Sequence, residues 1–214
     1  MDPILEIHGW QLSADGGGSI DLRLFPGELL VLVGEGQGEG AALLRAAAGL
    51  CRPRRGTVRV LGQDPAALPR AAREALSARL GYLPRRGELL SNISLEANLL
   101  LPLAYHHRLG PAAAALAGQR TAARFGLPWP LPDALPAEVP LTLRRRVALA
   151  RALVLEPELL LLDDFTDDLS RSDGGAMADA IRAYVVARRA AVLAASDDPT
   201  LADRLRARRQ TLEA

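Results

Sequence analysis

Residues 146–164 read RVALARALVLEPELLLLDD. Val147, Leu149, Ala150 and Leu153 recur at helical spacing among Arg144, Arg145, Arg146 and Arg151, which predicts a helix from about Thr142 to Leu155. Glu156-Pro157 ends it, because proline has no N–H to give the helix ladder. The aliphatic run Leu159–Leu162 suits a strand covered on both faces, with Asp163 and Asp164 standing at its carboxyl end. Outward from this unit the same grammar repeats. Leu29–Val33 is a second buried strand, followed by the glycine-rich stretch Gly34–Gly40 and a helix from about Ala41 to Ala48 closed by Gly49. Ala191–Ala195 is a last short core strand after a helix from about Asp173 or Gly174 to Arg188.

Other segments alternate or interrupt. Ile4–Trp10 and Ser19–Leu24 read as half-exposed strands, with Gly16, Gly17 and Gly18 as a turn between them, and Thr57–Leu61 is another strand. Ala66–Leu80 reads as a helix broken by Pro69, and Pro111 opens an alanine-rich helix to about Phe125. Five prolines between Gly126 and Pro140 make a loop, and Thr200 caps a final turn or helix. The expectation is one α/β domain over 1–214: a mostly parallel core sheet, an N-terminal antiparallel portion and a helical insertion at about 88–155.

Composition bounds the function. A chain of 214 residues, 49% hydrophobic, buries a full core, and its 26 basic residues against 25 acidic ones give no strong field toward nucleic acid. All of the basic residues are arginine, so a compact ammonium is missing from any site the chain builds. Cys51 stands alone, which excludes an internal disulfide and fits a reducing compartment. The N-terminus lacks a basic start and apolar run, and no uncharged stretch is long enough to cross a bilayer. His8, His106 and His107 make no convincing zinc set and read as surface or packing residues. The clusters Arg52-Arg54-Arg55, Arg144-Arg145-Arg146 and Arg204-Arg206-Arg208-Arg209 read as solvated helix faces.

Three stretches together resemble the nucleotide-binding cassette of ABC transporters, a P-loop NTPase, most nearly the small bacterial import or lipid-transport ATPases. They are Leu32-Val33-Gly34 through Leu43–Leu50, then Asn92-Ile93-Ser94-Leu95-Glu96-Ala97-Asn98, and residues 146–163. The resemblance implies a phosphate loop at Gly34, Gly36, Gly38, Gly40, Ala41 and Ala42. A P-loop ends in Gly-Lys-Ser/Thr, because amides wrap the phosphates, the lysine reaches the outer ones and the hydroxyl holds Mg²⁺. Those places are Glu39, Gly40 and Ala41 here. At an effective dielectric of about 20 a unit pair at 4 Å is worth roughly 4 kcal/mol, so exchanging attraction for repulsion from Glu35 and Glu39 weakens binding of Mg-ATP. The alternative register Gly36-Gln37-Gly38-Glu39-Gly40-Ala41 fits a dinucleotide fingerprint, but Arg54, Arg55 and Thr57 stand about 20 residues on where a ribose-binding carboxylate belongs.

The resemblance implies further positions. The aromatic that stacks on adenine falls near Ala14, and Trp10 is a packing residue. The metal-sensing glutamine falls at Arg85, and the signature Leu-Ser-Gly-Gly-Gln at Val139, Pro140, Leu141, Thr142 and Leu143. The metal-supporting aspartate falls at Asp163, the catalytic glutamate at Asp164, and the switch histidine at Ser196. Asp164 is one methylene short of glutamate, and about 1 Å of misplacement costs on the order of 100-fold in rate. In the family the segment from Asn92 to Pro102 receives a helix of the membrane permease, so Ile93, Leu95 and Leu99 are the candidate docking residues.

The expected function is that of a pseudo-ATPase: a degenerate ATP-binding subunit, with no cofactor, that docks on a permease at the inner face of the cytoplasmic membrane and pairs as a homodimer or with another cassette, without nucleic acid. The alternatives are a divergent active ATPase that uses ATP and Mg²⁺ to energise transport, with Asp164 as its catalytic candidate, or a soluble regulatory interaction protein.

Overall fold

The computed structural model describes residues 2–11, 19–34, 38–106 and 109–212. The turn expected at Gly16–Gly18, and Ala14, Glu35, Gly36, Gln37 and His107, lie outside the described residues. Two sheets organise the chain. Strands β1 (Leu5–Gln11), β2 (Ser19–Leu24) and β4 (Thr57–Val60) form a three-stranded antiparallel sheet in the order β2-β1-β4. Strands β3 (Leu29–Val33), β5 (Leu80–Leu83), β6 (Leu159–Asp163), β7 (Ala191–Ser196) and β8 (Arg208–Thr211) form a parallel sheet in the order β5-β6-β7-β3-β8.

Side chains alternate across a strand, so the aliphatic runs feed two cores at once. Leu30, Leu32, Leu159, Leu161 and Leu193 pack with helix α1 (Glu39–Ala47) and the antiparallel sheet. Val31, Val33, Leu160, Leu162, Val192 and Ala194 pack on the other face with helices α5 (Leu141–Leu153) and α6 (Arg171–Arg188). Leu159 through Leu162 are all fully buried, each worth roughly 1.5–3 kcal/mol of burial, which fixes β6 in the sheet centre.

The helices start where the local chemistry allows. Helix α2 (Arg70–Ser77) begins after Pro69, which is its N-cap rather than a break within it. Between β5 and β6 lie α3 (Leu95–Tyr105), capped by the Ser94 hydroxyl accepting from the Ala97 amide, and α4 (Pro111–Arg124), with proline at its first turn. Helix α6 is capped by Ser170, whose hydroxyl accepts from the Asp173 amide. Buried Tyr184 donates to the Pro157 carbonyl at 2.7 Å, tying α6 to the turn that enters β6. Helix α7 (Leu201–Leu205) follows Thr200, which makes no side-chain cap.

Two expectations about elements fail. Leu80, expected as the last residue of a helix, opens strand β5, and Arg208–Thr211 is strand β8 rather than part of a solvated helix face. In both, a parallel neighbour's backbone supplies hydrogen bonds that the local sequence does not advertise.

Candidate functional site

The carboxyl ends of β3, β6 and β7 open into one crevice, the usual location for ligands on a parallel sheet. A cavity of about 100 Å³ is lined there by Gly34, Gly38, Gly40, Ala41, Arg85, Asp163, Asp164, Ser196, Asp197 and Leu212, among others. The chain is squeezed at this point. A Cβ at Gly34 would stand 2.8 Å from the Leu212 Cβ and 2.9 Å from its carbonyl oxygen, and one at Gly40 would stand 2.7 Å from the Ala195 Cβ. Gly38, at φ 119°, takes the left-handed turn that launches α1.

Asp164 is the centre of the polar network. Its own φ is +39°, a costly region for a residue with a side chain, and its N–H donates to the Ala195 carbonyl at 2.9 Å. The Ser196 hydroxyl donates to Asp164 Oδ1 at 2.6 Å, and the Asp197 amide reaches the same oxygen at 3.3 Å. Arg85 Nη1 lies 3.3 Å from Asp164 Oδ2 and 3.8 Å from Asp197 Oδ2, while Arg85 Nε donates to Asp167 Oδ2 at 3.1 Å. The hydrogen bond to Asp167 and the charge of Asp164 hold the Arg85 pKa above the ordinary arginine value. Burial, and then the neighbouring Asp164 charge, push the Asp163 carboxyl above the usual aspartate range. Burial also raises Glu39.

Helix α5 holds the loop that carries Arg85. Arg145 donates to the Arg85 carbonyl, and Arg151 donates to the Gly87 and Glu88 carbonyls at 2.7 and 3.0 Å. Arg145 is 4% exposed, which corrects the expectation of a solvated cluster at 144–146, and burial lowers its pKa. The sequence signals this clamp only as Arg144, Arg145, Arg146 and Arg151 on one helix, and it carries no signal for the arrival of Asp167 and Asp197 at Arg85.

The remaining candidates lie elsewhere. Residues 139–143 do not line the cavity: Pro140 is the N-cap of α5 with no side-chain cap, and Val139 and Leu143 pack on the central core. Ala42 lies in a separate cleft with Trp10, Glu39, Arg45, Cys51, Arg52, Arg54 and Arg55. His8 sits on β1 with Glu6 and Asp21 oxygens 3.7 and 3.6 Å away. The docking expectation needs correction: Leu95 and Leu99 are fully buried in the chain's own core, where no partner can reach them, and Ile93 is half-buried. Buried Asn98 turns this segment inward, donating to the Leu90, Ile93 and Ser94 carbonyls and accepting from the Leu90 amide.

Asp163, Asp164 and Ser196 offer hard oxygen donors of the kind Mg²⁺ accepts beside phosphate and water oxygens. No group of three or more His, Cys, Asp or Glu arranged for a metal occurs among the described residues. The donor set fits an ion that arrives with a phosphate ligand.

Comparison with known proteins identifies the family and the fold. Residues 18–167 match the family model described as ABC transporter. The chain is 33% identical over 187 residues to the lipoprotein-releasing system ATP-binding protein LolD of Pseudomonas syringae, covering 86% of this chain and 80% of the relative. It is 35% identical over 188 residues to LolD of Maricaulis maris, covering 86% and 80%. The fold superposes on the dimeric bacterial ABC transporter cassette MJ0796 with a TM-score of 0.84 at 17% identity, covering 94% of this chain and 90% of that one. It matches cbiO1 of Clostridium perfringens at 0.77 and 20% identity, covering 92% and 80%.

These findings overturn two expectations, the pseudo-ATPase and the absence of a cofactor. The relatives are named ATP-binding proteins, and MJ0796 with the same fold has been solved with ADP and Pi. The altered positions do not act singly: the crevice still gathers a glycine turn, three carboxylates and a guanidinium. With more than half of its length matched by the family model, the chain belongs to the ABC transporter family.

Proposed function

We propose that the chain is an active ATP-binding subunit that hydrolyses ATP to energise transport through a membrane permease. The observation that carries this reading is the convergence of Gly34, Gly38, Gly40, Asp163, Asp164, Arg85 and Ser196 on one cavity at the ends of three parallel strands. The backbone of the glycine turn approaches a phosphate closely because it has no side chains to displace. Asp164 Oδ1 is fixed by Ser196, so Oδ2, once Arg85 turns from it, is the oxygen that orients a water and takes its proton as the water oxygen bonds the terminal phosphorus and the bond to the ADP oxygen breaks. Asp163 would hold a Mg²⁺ ion that arrives with the nucleotide, and the ion would supply neutralisation of phosphate charge there.

No helix among the described residues is long and apolar enough to cross a membrane, and attachment at the inner face of the cytoplasmic membrane would run through the permease. The relatives' names support this assignment, as does the dimeric solved cassette for pairing of two copies. The test is phosphate release by the chain purified with its permease. Mg²⁺-dependent turnover that disappears in Asp164→Asn supports the reading; turnover unaffected by that change, or none with bound permease, overturns it.

A further inference from the structure

We propose that Arg85 is the cation that receives the terminal phosphates of the nucleotide, supplying from the loop after β5 the charge that position 40 cannot. This inference rests on the nucleotide-binding reading above. Among the described residues lining the cavity, Arg85 is the cationic one, and the chain has no lysine to offer. Position 40 has no room for a substitute, since even a Cβ there would stand 2.7 Å from the Ala195 Cβ. A cation serving this cavity has to reach it from another element.

Arg85 is built for that reach. Its main chain is anchored by Arg145, and the two carbonyls that follow closely, at Gly87 and Glu88, are anchored by Arg151. Its side chain, 45% exposed, spans three carboxylates on two loops: Asp164 at 3.3 Å and Asp167 at 3.1 Å after β6, and Asp197 at 3.8 Å after β7. A fixed root with a half-exposed guanidinium can exchange a carboxylate for a phosphate oxygen without moving the backbone. The planar fork of donors suits either partner.

The charge count adds a constraint. Among the described residues, Asp163, Asp164 and Asp197 line the cavity against Arg85, so a bare polyphosphate enters a net negative site. A nucleotide arriving with a divalent cation would offset this charge, the carboxylates being the groups that would hold the cation and the guanidinium the one left for phosphate. Release of Asp164 Oδ2 by Arg85 would also free that oxygen for water, linking phosphate arrival to readiness for hydrolysis.

Titration calorimetry of the full chain with Mg-ATP, Mg-ADP and AMP tests this. The unmodified protein should prefer ATP to AMP. Arg85→Gln should weaken ATP about tenfold or more and leave AMP unchanged, and Arg85→Lys should keep part of the preference. Asp167→Asn, which frees Arg85 Nε, should tighten ATP, and it decides the matter should Arg85→Gln fail to fold. An unchanged ATP-over-AMP ratio in folded Arg85→Gln, or unchanged or weaker ATP binding in Asp167→Asn, overturns the role of Arg85 while nucleotide binding stands. An unmodified chain that binds none of the three nucleotides overturns both readings.

Discussion

The Ser196 hydroxyl donates to Asp164 Oδ1 at 2.6 Å across 32 residues of sequence, joining the ends of β6 and β7 inside the crevice. Both residues are buried, Asp164 at 8% and Ser196 at 6% exposure, so the bond is sheltered from competing water. It fixes one carboxylate oxygen and thereby assigns the other its partner, Arg85.

Removing that hydroxyl should be costly. Ser196→Ala leaves a buried carboxylate oxygen with only the longer Asp197 amide contact, and a lost bond to a charged group costs about 1.5–3 kcal/mol. The thermal midpoint should fall by about 2–4 °C per kcal/mol for a domain of this size. Calorimetric melting checks this, and a midpoint equal to the parent's would deny the bond its structural weight.

Asp164→Asn should separate binding from turnover. The amide cannot accept a proton from water, so phosphate release should drop by about 100-fold or more. ATP affinity should stay equal or tighten, because a negative charge leaves the cavity. Parallel phosphate-release and titration measurements check the split; a joint fall in both would show that Asp164 mainly builds the site.

Asp163 makes stability depend on pH. Its carboxyl is raised above the ordinary aspartate value by burial and by Asp164, so the folded protein favours the protonated form. The contribution is fully present below the unfolded value, about 3.9, and is lost as pH rises through the raised folded value. Asp163→Asn removes this dependence, so its stability relative to the parent should improve with rising pH across that window. Urea unfolding of both proteins at a series of pH values decides it; a constant difference contradicts the assignment.

Gly34→Ala should loosen the edge of the sheet. The added Cβ would meet the Leu212 Cβ and carbonyl oxygen at 2.8 and 2.9 Å, and overpacking of this kind costs about 1–3 kcal/mol. The Leu212 amide, which donates to the Val33 carbonyl at 2.7 Å, should then exchange its hydrogen faster than in the parent. Amide exchange resolved at Leu212 tests this directly.

The sequence by itself determined the centre of the sheet and the address of the acidic pair. Aliphatic runs such as Leu29–Val33, Leu159–Leu162 and Ala191–Ala195 can satisfy all their side chains only in strands covered on both faces, and an aspartate ending such a strand must emerge at its carboxyl edge. Tertiary structure decided the margins. Strands β5 and β8 are the two edges of the parallel sheet, each hydrogen-bonded to a neighbouring strand on one side, so neither required the aliphatic signature that announces a central strand. The same holds for charge and burial. A run of three arginines does not say which one turns inward, and Leu95 and Leu99 fit a docking face as well as a core until α5 packs against α3. Arg85 stands where the resemblance puts a metal-sensing glutamine, which says nothing of the carboxylates that surround it. Its role follows from Asp164, Asp167 and Asp197 arriving around it from loops some 80 to 110 residues away, a convergence set by strand order, which no local pattern of residues encodes.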